Sequence, residues 1–168
     1  MKIHFNPASK LSRFLLGFIQ KYNHEKYWSR RLKVISPEYK NVILKLYYLY
    51  YIKKIDDFYN CSFGTNYNSG SFFSEPPILP HGPKNIIIGH DITIGSGVII
   101  MQNVTVVHGG KSVIGNNVLL SAGSVVLKGV NIGNNVKVGA NAIVVEDIPD
   151  GCTVVLPKPR VISPGCTI

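Results

Sequence analysis

The second half of this 168-residue chain repeats a six-residue pattern, and no other feature of the sequence constrains its fold as strongly. An aliphatic residue opens each unit, and the step between units is six, apart from one step of eight between Val106 and Ile114. These opening positions are Ile88, Ile94, Ile100, Val106, Ile114, Leu120, Val126, Ile132, Val138 and Val144. The fifth position is apolar or small, from Ile92 to Ile148, so two side chains in every six are expected to point into a core.

The fourth position of every unit is glycine, asparagine or aspartate, the residues that tolerate a left-handed backbone or a tight turn at low cost. They are Asp91, Gly97, Asn103, Gly109, Asn117, Gly123, Gly129, Asn135, Asn141 and Asp147. A turn every six residues excludes a helix and predicts short parallel strands joined by corners, in a solenoid of stacked coils. The alternative, an antiparallel sandwich, has strands of about five or six residues with turns about every 8 to 12 residues.

The repeat resembles that of the hexapeptide-repeat acyltransferases. This resemblance implies a mainly β fold, a left-handed parallel β-helix with three units per coil, although the general rule for parallel crossovers favours the right hand. Residues 107–113, at the longer step, are expected to leave the wall as a loop. We therefore predict a β-helical acyltransferase domain over residues 61–168 and a basic helical N-terminal region over residues 1–60.

The N-terminal region has a different composition, with 12 of the 18 lysines and arginines but 4 of the 9 acids, and hence almost all of the net charge of +9. Its apolar spacing predicts two or three helices, including residues 9–22 and 37–55, the latter with Pro37 at its start. Such helices would cap the open end of the prism. The charge suits an anionic partner, either a nucleotide-sugar or lipid-linked phosphate acceptor or an acidic membrane surface. No nucleic-acid motif accompanies it, so nucleic acid is not expected as a partner.

Other features of the sequence bear on its location. Three cysteines, Cys61, Cys152 and Cys166, match neither a disulfide framework nor a metal clip. Lysines interrupt the most hydrophobic stretch, residues 42–55, before it reaches the roughly 18 apolar residues that span a bilayer. The N-terminus lacks a small-residue cleavage site typical of a signal peptide. We therefore expect a cytoplasmic protein.

Within the family, the chain is most similar to serine acetyltransferases and to O-acetyltransferases of surface polysaccharides. Residues 79–89, Leu-Pro-His-Gly-Pro-Lys-Asn-Ile-Ile-Ile-Gly, resemble a motif whose histidine is the catalytic base. Residues 102–106, 121–124, 139–142 and 156–162 resemble the later motifs in order and spacing. The resemblance implies direct acetyl transfer from acetyl-CoA to a hydroxyl group, with no metal and no covalent enzyme intermediate.

His81 is the candidate base, because an imidazole is partly neutral near pH 7 and can take the proton of an attacking hydroxyl group. The alternative is a surface histidine without a role. A catalytic base also needs a partner for its other ring nitrogen. The relatives have a carboxylate fifteen residues earlier, where this chain has Asn66. An amide oxygen can accept the ring N–H but supplies no charge, so Glu75 is an alternative partner.

His108 lies in the loop where the coil period breaks, beside Gly110. The resemblance implies a substrate contact for His108 and a cofactor contact for Gly110, and a solvated loop is the alternative for the histidine. The same resemblance places the pantetheine arm of CoA against small residues at the coil edge. These are Ala122 and Ala140. Cations that could reach the CoA phosphates are Lys137, Lys158 and Arg160, which would otherwise only solubilise the wall.

The sequence therefore predicts an acetyl-CoA-dependent O-acetyltransferase that acts on a sugar hydroxyl of a surface polysaccharide or its precursor. Serine O-acetylation is one alternative, and a non-catalytic structural or binding trimer is another. A zinc enzyme of the same fold would need three converging histidines, and His81, His90 and His108 lack the required spacing. The resemblance also implies a homotrimer with active sites between subunits.

Overall fold

A computed structural model describes residues 21–158 of the chain as two helices followed by fourteen short strands. The helices are α1 (His24–Ile35) and α2 (Val42–Tyr59). The strands are β1 (Ser62–Phe63), β2 (Thr65–Asn66), β3 (Ser69–Gly70), β4 (Phe72–Phe73), β5 (Ile87–Ile88), β6 (Thr93–Ile94), β7 (Ile99–Ile100), β8 (Thr105–Val106), β9 (Val113–Ile114), β10 (Leu119–Leu120), β11 (Val125–Val126), β12 (Lys137–Val138), β13 (Ile143–Val144) and β14 (Thr153–Val154). In the part of the chain that is described, neither helix is long and apolar enough to cross a membrane.

The strands form the three walls of a prism. Face one stacks β1, β5, β8, β11 and β13 in parallel, and face three stacks β7, β10, β12 and β14. Face two stacks β4, β6 and β9 and continues through parallel bridges at Ile132 and Ile148. We call the corner between faces one and two the first edge, the next corner the second edge, and the corner between faces three and one the third edge. The predicted parallel β-helix with helices at its N-terminus is confirmed.

The predicted inward positions form the core of the prism. The opening residue of each unit is at most 2% exposed, and the fifth positions from Ile92 to Ala142 are buried as well, except in the unit that the loop after Val106 interrupts. The assignment of Ile148 to a fifth position is wrong. Ile148 pairs with Ile132 and so occupies the opening position on face two, because the corner after Val144 is two residues shorter than the others.

The corners have the backbone that the fourth positions predicted. Eight of these ten residues have positive φ angles, between 55° and 97°. They are Gly97, Asn103, Gly109, Asn117, Gly123, Gly129, Asn135 and Asn141. The other two are aspartates whose carboxylates accept hydrogen bonds from a neighbouring coil: Asp91 from the Gly109 N–H of the next coil and Asp147 from the Asn131 N–H of the preceding coil. The fourth position of the unit therefore has the left-handed backbone of the turn at eight corners and supplies a hydrogen bond between coils at the other two.

The prism begins one coil earlier than the aliphatic repeat indicates. Phe63 of β1 and Phe73 of β4 are its buried inward residues, and the bridge between Ile78 and Ile99 completes the coil on face three. The antiparallel hairpin of β2 and β3 separates β1 from β4 at the first edge. Aromatic inward residues and an inserted hairpin hide this coil from a search for a six-residue aliphatic period.

The two helices cover this first coil. The Trp28 ring packs edge-on against Phe63 and Phe73, with centroids 5.2 and 4.8 Å apart. Helix α2 begins at Val42 and not at Pro37, because the Asn41 side chain caps it by accepting the Leu44 N–H at 3.0 Å. Residues 9–20 of the first predicted helix lie outside the described residues.

Candidate functional site

His81 lies in the turn that joins face three to face one in the first coil, at the third edge. The turn is closed by a hydrogen bond from the Gly82 N–H to the Leu79 carbonyl at 3.1 Å. The His81 side chain is exposed rather than packed in the prism. The turn therefore presents an imidazole to solvent at the edge of the first coil.

A groove of about 1030 Å³ runs past this imidazole. We call it the third-edge groove. One wall is the segment from Pro76 to Lys84, which includes His81. The other wall comes from the helices, with Tyr22, Asn23, His24 and Glu25 beside the start of α1 and Tyr59 at the end of α2. The groove has the size of a site for a small organic molecule.

Small residues continue the third edge beyond the His81 turn. Backbone N–H groups at Asn103, Gly123 and Asn141 donate to the carbonyls of Lys84, Gln102 and Ala122 in the preceding coil, at 3.1, 3.1 and 2.9 Å. Lys84, Gln102, Ala122 and Ala140 therefore form one column, with the two alanines two and three coils from His81. This is the arrangement expected for residues that leave room for a long, thin ligand arm.

The predicted cations are spread more widely. Lys137 lies on β12 of face three, and its side chain is exposed. Lys158 is exposed and lies four residues after β14, which is also a strand of face three. Arg160 lies outside the described residues, so its place relative to the third edge stays a prediction.

The remaining predicted residues lie on the first edge of the same chain. Asn66 is exposed on the hairpin strand β2. His108 and Gly110 lie in the loop before β9, and both are exposed. His108 stacks so closely on Gly89 that a Cβ atom at Gly89 would lie 2.5 Å from the His108 Cβ. The structure thus brings His81, Ala122 and Ala140 to one edge and Asn66, His108 and Gly110 to another.

The two candidate partners of the His81 ring are not in the lining of the third-edge groove. The Glu75 carboxylate accepts a hydrogen bond from the Gly97 N–H and so caps the next coil. Asn66, fifteen residues before His81, lies on strand β2 of the inserted hairpin, and this hairpin lies at the first edge.

The helical wall of the groove was not predicted from the sequence. His24 carried no motif, and the α1 helix was not delimited. A signal was present, since Asn23 followed by acidic Glu25 is a typical helix start, and the Asn23 side chain caps α1 by accepting the Lys26 N–H at 2.8 Å. What the sequence does not show is that this helix start faces the His81 turn.

Among residues 21–158, no three histidine, cysteine, aspartate or glutamate side chains are grouped closely enough to hold a metal ion. The three histidines of the zinc alternative are divided between the edges, with His81 on the third and His90 and His108 on the first. The described residues therefore offer no built cation site.

The fold is a prism of six-residue repeats with an exposed histidine at one coil edge. The family model described as "Bacterial transferase hexapeptide (six repeats)" matches residues 111–145. The predicted resemblance to hexapeptide-repeat transferases is confirmed, and the chain is similar to serine acetyltransferases.

One such relative is the serine acetyltransferase of Staphylococcus epidermidis, 37% identical over 98 residues, which cover 55% of this chain and 46% of that protein. Soybean serine acetyltransferase has the same fold, with a TM-score of 0.61, 23% identity and coverage of 89% and 60%. A serine acetyltransferase solved in complex with CoA gives a TM-score of 0.57 at 22% identity, covering 77% and 50%. The chain spans less than half the length of the curated relative that it matches.

Proposed function

We propose that the chain is an acetyl-CoA-dependent O-acetyltransferase with His81 as the general base. The observation that carries this proposal is the exposed imidazole of His81 in a groove at the third edge, the edge on which Ala122 and Ala140 also lie. A hydroxyl group bound in the groove attacks the thioester carbonyl and forms the new C–O bond. His81 takes the hydroxyl proton and returns it to the CoA sulfur as the C–S bond breaks. Backbone N–H groups stabilise the oxyanion.

Acetyl-CoA is the proposed acyl donor. A relative of the same fold has been solved in complex with CoA. The third-edge column supports a similar placement here, because Ala122 and Ala140 leave the edge open. Lys137, Lys158 and Arg160 are the proposed phosphate contacts.

The proposed acceptor is a sugar hydroxyl of a surface polysaccharide or its precursor. The size of the third-edge groove supports it, since about 1030 Å³ is the space of a ligand much larger than one amino acid. L-Serine is the second candidate, favoured by the names of the curated relatives. The two acceptors differ in size and charge and can be compared directly as substrates.

We also propose that the protein works as a homotrimer. The candidate residues of one chain are divided between its first and third edges, so a neighbouring copy is needed to bring His108 and Gly110 to a groove that contains His81. Exposed aliphatic side chains on face one, Ile87 and Ile143, offer apolar surface for this packing. Cross-linking or light scattering of the purified chain tests the assembly.

The proposed peripheral partner is an anionic membrane or a lipid-linked sugar. Helix α2 exposes a stripe of Ile43, Leu46, Tyr47 and Tyr50, with Ile43 82% exposed. Lys54 continues the stripe, and aromatic and aliphatic side chains beside lysines are typical of helices that lie on a membrane surface. Sedimentation with phosphatidylglycerol vesicles should carry the protein down, and Ile43→Asp should release it. Equal binding to vesicles of pure phosphatidylcholine would contradict the proposal that the protein prefers an anionic membrane surface.

The catalytic proposal is tested by thiol release from acetyl-CoA with methyl glycosides and with L-serine as acceptors. His81→Ala should lower kcat by at least about 100-fold, while Asn116→Ala, at an exposed residue on the second edge, should not. Full activity of His81→Ala would overturn the proposed mechanism. Turnover of serine with every glycoside inactive would overturn the sugar acceptor alone.

A further inference from the structure

The helices build one wall of the third-edge groove and fix it to the prism. Tyr22, His24 and Glu25 line the wall near the start of α1, and Tyr59 lines it at the end of α2. The Tyr59 carbonyl accepts the Asn85 N–H at 3.0 Å, and the Tyr59 hydroxyl accepts the Tyr22 N–H at 3.3 Å. The wall is therefore held against the edge that bears the candidate base.

A hydrogen-bond relay sets the state of His24. The Trp28 indole N–H lies 3.1 Å from the Tyr22 hydroxyl, which lies 3.0 Å from Nδ1 of His24. An indole N–H can only donate, so the Tyr22 oxygen accepts it, and the Tyr22 O–H can in turn donate to Nδ1 of His24. Burial raises the pKa of the Tyr22 hydroxyl and lowers the pKa of the His24 imidazole, which favours the neutral form of both groups. With Nδ1 as the acceptor, the neutral His24 ring carries its N–H at Nε2.

Glu25 adds a hydrogen-bond acceptor to the same wall. The Asn23 side chain is used in capping α1, whereas Glu25 lines the groove and makes no hydrogen bond to another described residue. The Tyr22 and Tyr59 rings meet edge to face, with centroids 6.1 Å apart, and give the wall flat apolar surface. The wall therefore combines aromatic faces, one N–H donor and one carboxylate.

We propose that this wall binds the acyl acceptor, and that the acceptor is a neutral polyhydroxylated ring held with one hydroxyl group toward His81. The proposal rests on the acetyl transfer proposed above. The C–H face of a sugar packs on an aromatic ring, while its other hydroxyl groups pair with the His24 N–H and the Glu25 carboxylate. A site built in this way rejects rings without hydroxyl groups, because its own polar groups would be left unpaired.

Binding can be measured without activity, because Trp28 is the only tryptophan in the chain and lies directly behind the wall. Methyl glycosides of glucose, galactose and N-acetylglucosamine, titrated into the full chain without acetyl-CoA, should change Trp28 emission saturably for at least one sugar. Cyclohexylmethanol, which has no further hydroxyl groups, should not. A chain that transfers acetyl groups but shows no change with any glycoside, or responds only to L-serine, overturns the proposal. A glycoside that binds but is never acetylated contradicts the transfer reaction instead.

Substitutions in the wall give a second measurement. His24→Ala and Glu25→Gln should each raise the acceptor KM and the Kd from fluorescence about 10-fold, with the KM for acetyl-CoA unchanged. Tyr22→Phe keeps the ring but frees Nδ1 of His24, so it should weaken acceptor binding less and shift its pH dependence. Lys26→Ala, the exposed neighbour outside the groove, is the matched control, and circular dichroism checks folding. Unchanged acceptor constants in all three variants, or an equal change in the acetyl-CoA KM, would overturn the assignment.

Discussion

The prism and the helical layer are stabilised in different ways. The prism buries aliphatic side chains almost exclusively, and each inward position repeats in the coil above and below. The helical layer also buries an arginine, a lysine and an aspartate side chain, Arg31, Lys45 and Asp56. The comparison shows that a repeated core spreads its stability over many equivalent contacts, whereas the helices depend on a few polar groups that have no substitute.

Arg31 shows this dependence most clearly. Its guanidinium group is fully buried and donates to the carbonyls of Phe63 and Ser71, both at 2.7 Å, and to the Thr65 hydroxyl at 3.0 Å. Burial lowers the pKa of Arg31 to about 10, so it remains charged at neutral pH. One helical side chain thus satisfies the backbone of both β1 and the segment after the hairpin.

The largest effect is expected for Arg31→Met. The substitution leaves the Ser71 carbonyl without its donor and removes the charged donor of the Phe63 carbonyl and the Thr65 hydroxyl. It should lower the free energy of unfolding by about 4 kcal/mol. Urea denaturation gives the value, and hydrogen exchange should show the helices opening while the prism amides stay protected. Arg30→Met, on the same helix and over the Tyr51 ring, should cost no more than about 1 kcal/mol. Equal losses in both variants would refute the distinction.

Leu120→Ala tests the prism by the same measurement, the free energy of unfolding in urea. Leu120 is fully buried between Ile100 and Val138 in the adjacent coils, and its truncation should cost about 3 kcal/mol. Leu127→Ala, at a side chain 38% exposed, should cost less than about 0.5 kcal/mol. Hydrogen exchange should now increase in the coils around Leu120 rather than in the helices. Exchange that increases first in α1 would mean that the two regions unfold as one unit.

Asp56 should make the helical layer sensitive to pH. Burial raises the pKa of its carboxyl group to about 6, and the Tyr27 hydroxyl at 2.6 Å only partly offsets this. The folded state therefore binds a proton more tightly than the unfolded state, whose Asp has a pKa of about 3.9. Stability should fall as the pH rises from about 4 to 6, by about 2 to 3 kcal/mol in total.

The measurement is urea denaturation at several pH values. In Asp56→Asn the fall over this window should disappear, because the titrating group is gone. Asp57→Asn, at the exposed neighbouring residue, should retain it. A wild-type chain whose stability is flat between pH 4 and 6 would show that the Asp56 carboxyl group has an ordinary pKa.

The sequence predicted most of the prism because its physics is local. A residue that tolerates positive φ at every sixth position, as at Gly97 and Asn103, specifies the corner and therefore the coil. The first coil and the Ile148 corner were missed because there the period is broken by a hairpin and by a shortened turn. The positions of the first coil and of Ile148 are set by strand pairing with the adjacent coil, and residue spacing does not show this pairing.

The site was only partly predictable for the same reason. His81, Ala122 and Ala140 were predicted together from the resemblance of their segments to the motifs of the acyltransferase family. The contribution of His24 and Glu25 depends on how a helix more than fifty residues earlier packs on the first coil. No periodicity links the two segments, which are brought together by the packing of Trp28 on Phe63 and Phe73 and by the hydrogen bonds of the helices to the first coil.

The smallest effect is expected on the second edge, where the prism does use polar side chains. The Asn116 side-chain oxygen accepts the Ser96 N–H at 2.9 Å, and the Asn116 N–H donates to Asn134 at the same distance. Asn116→Ala should cost about 1 kcal/mol, because the Ser96 N–H loses its partner but water can reach it. Asn116→Asp keeps the acceptor and should cost less. If the alanine variant matches Arg31→Met in urea, polar contacts matter equally in both regions and the contrast between them fails.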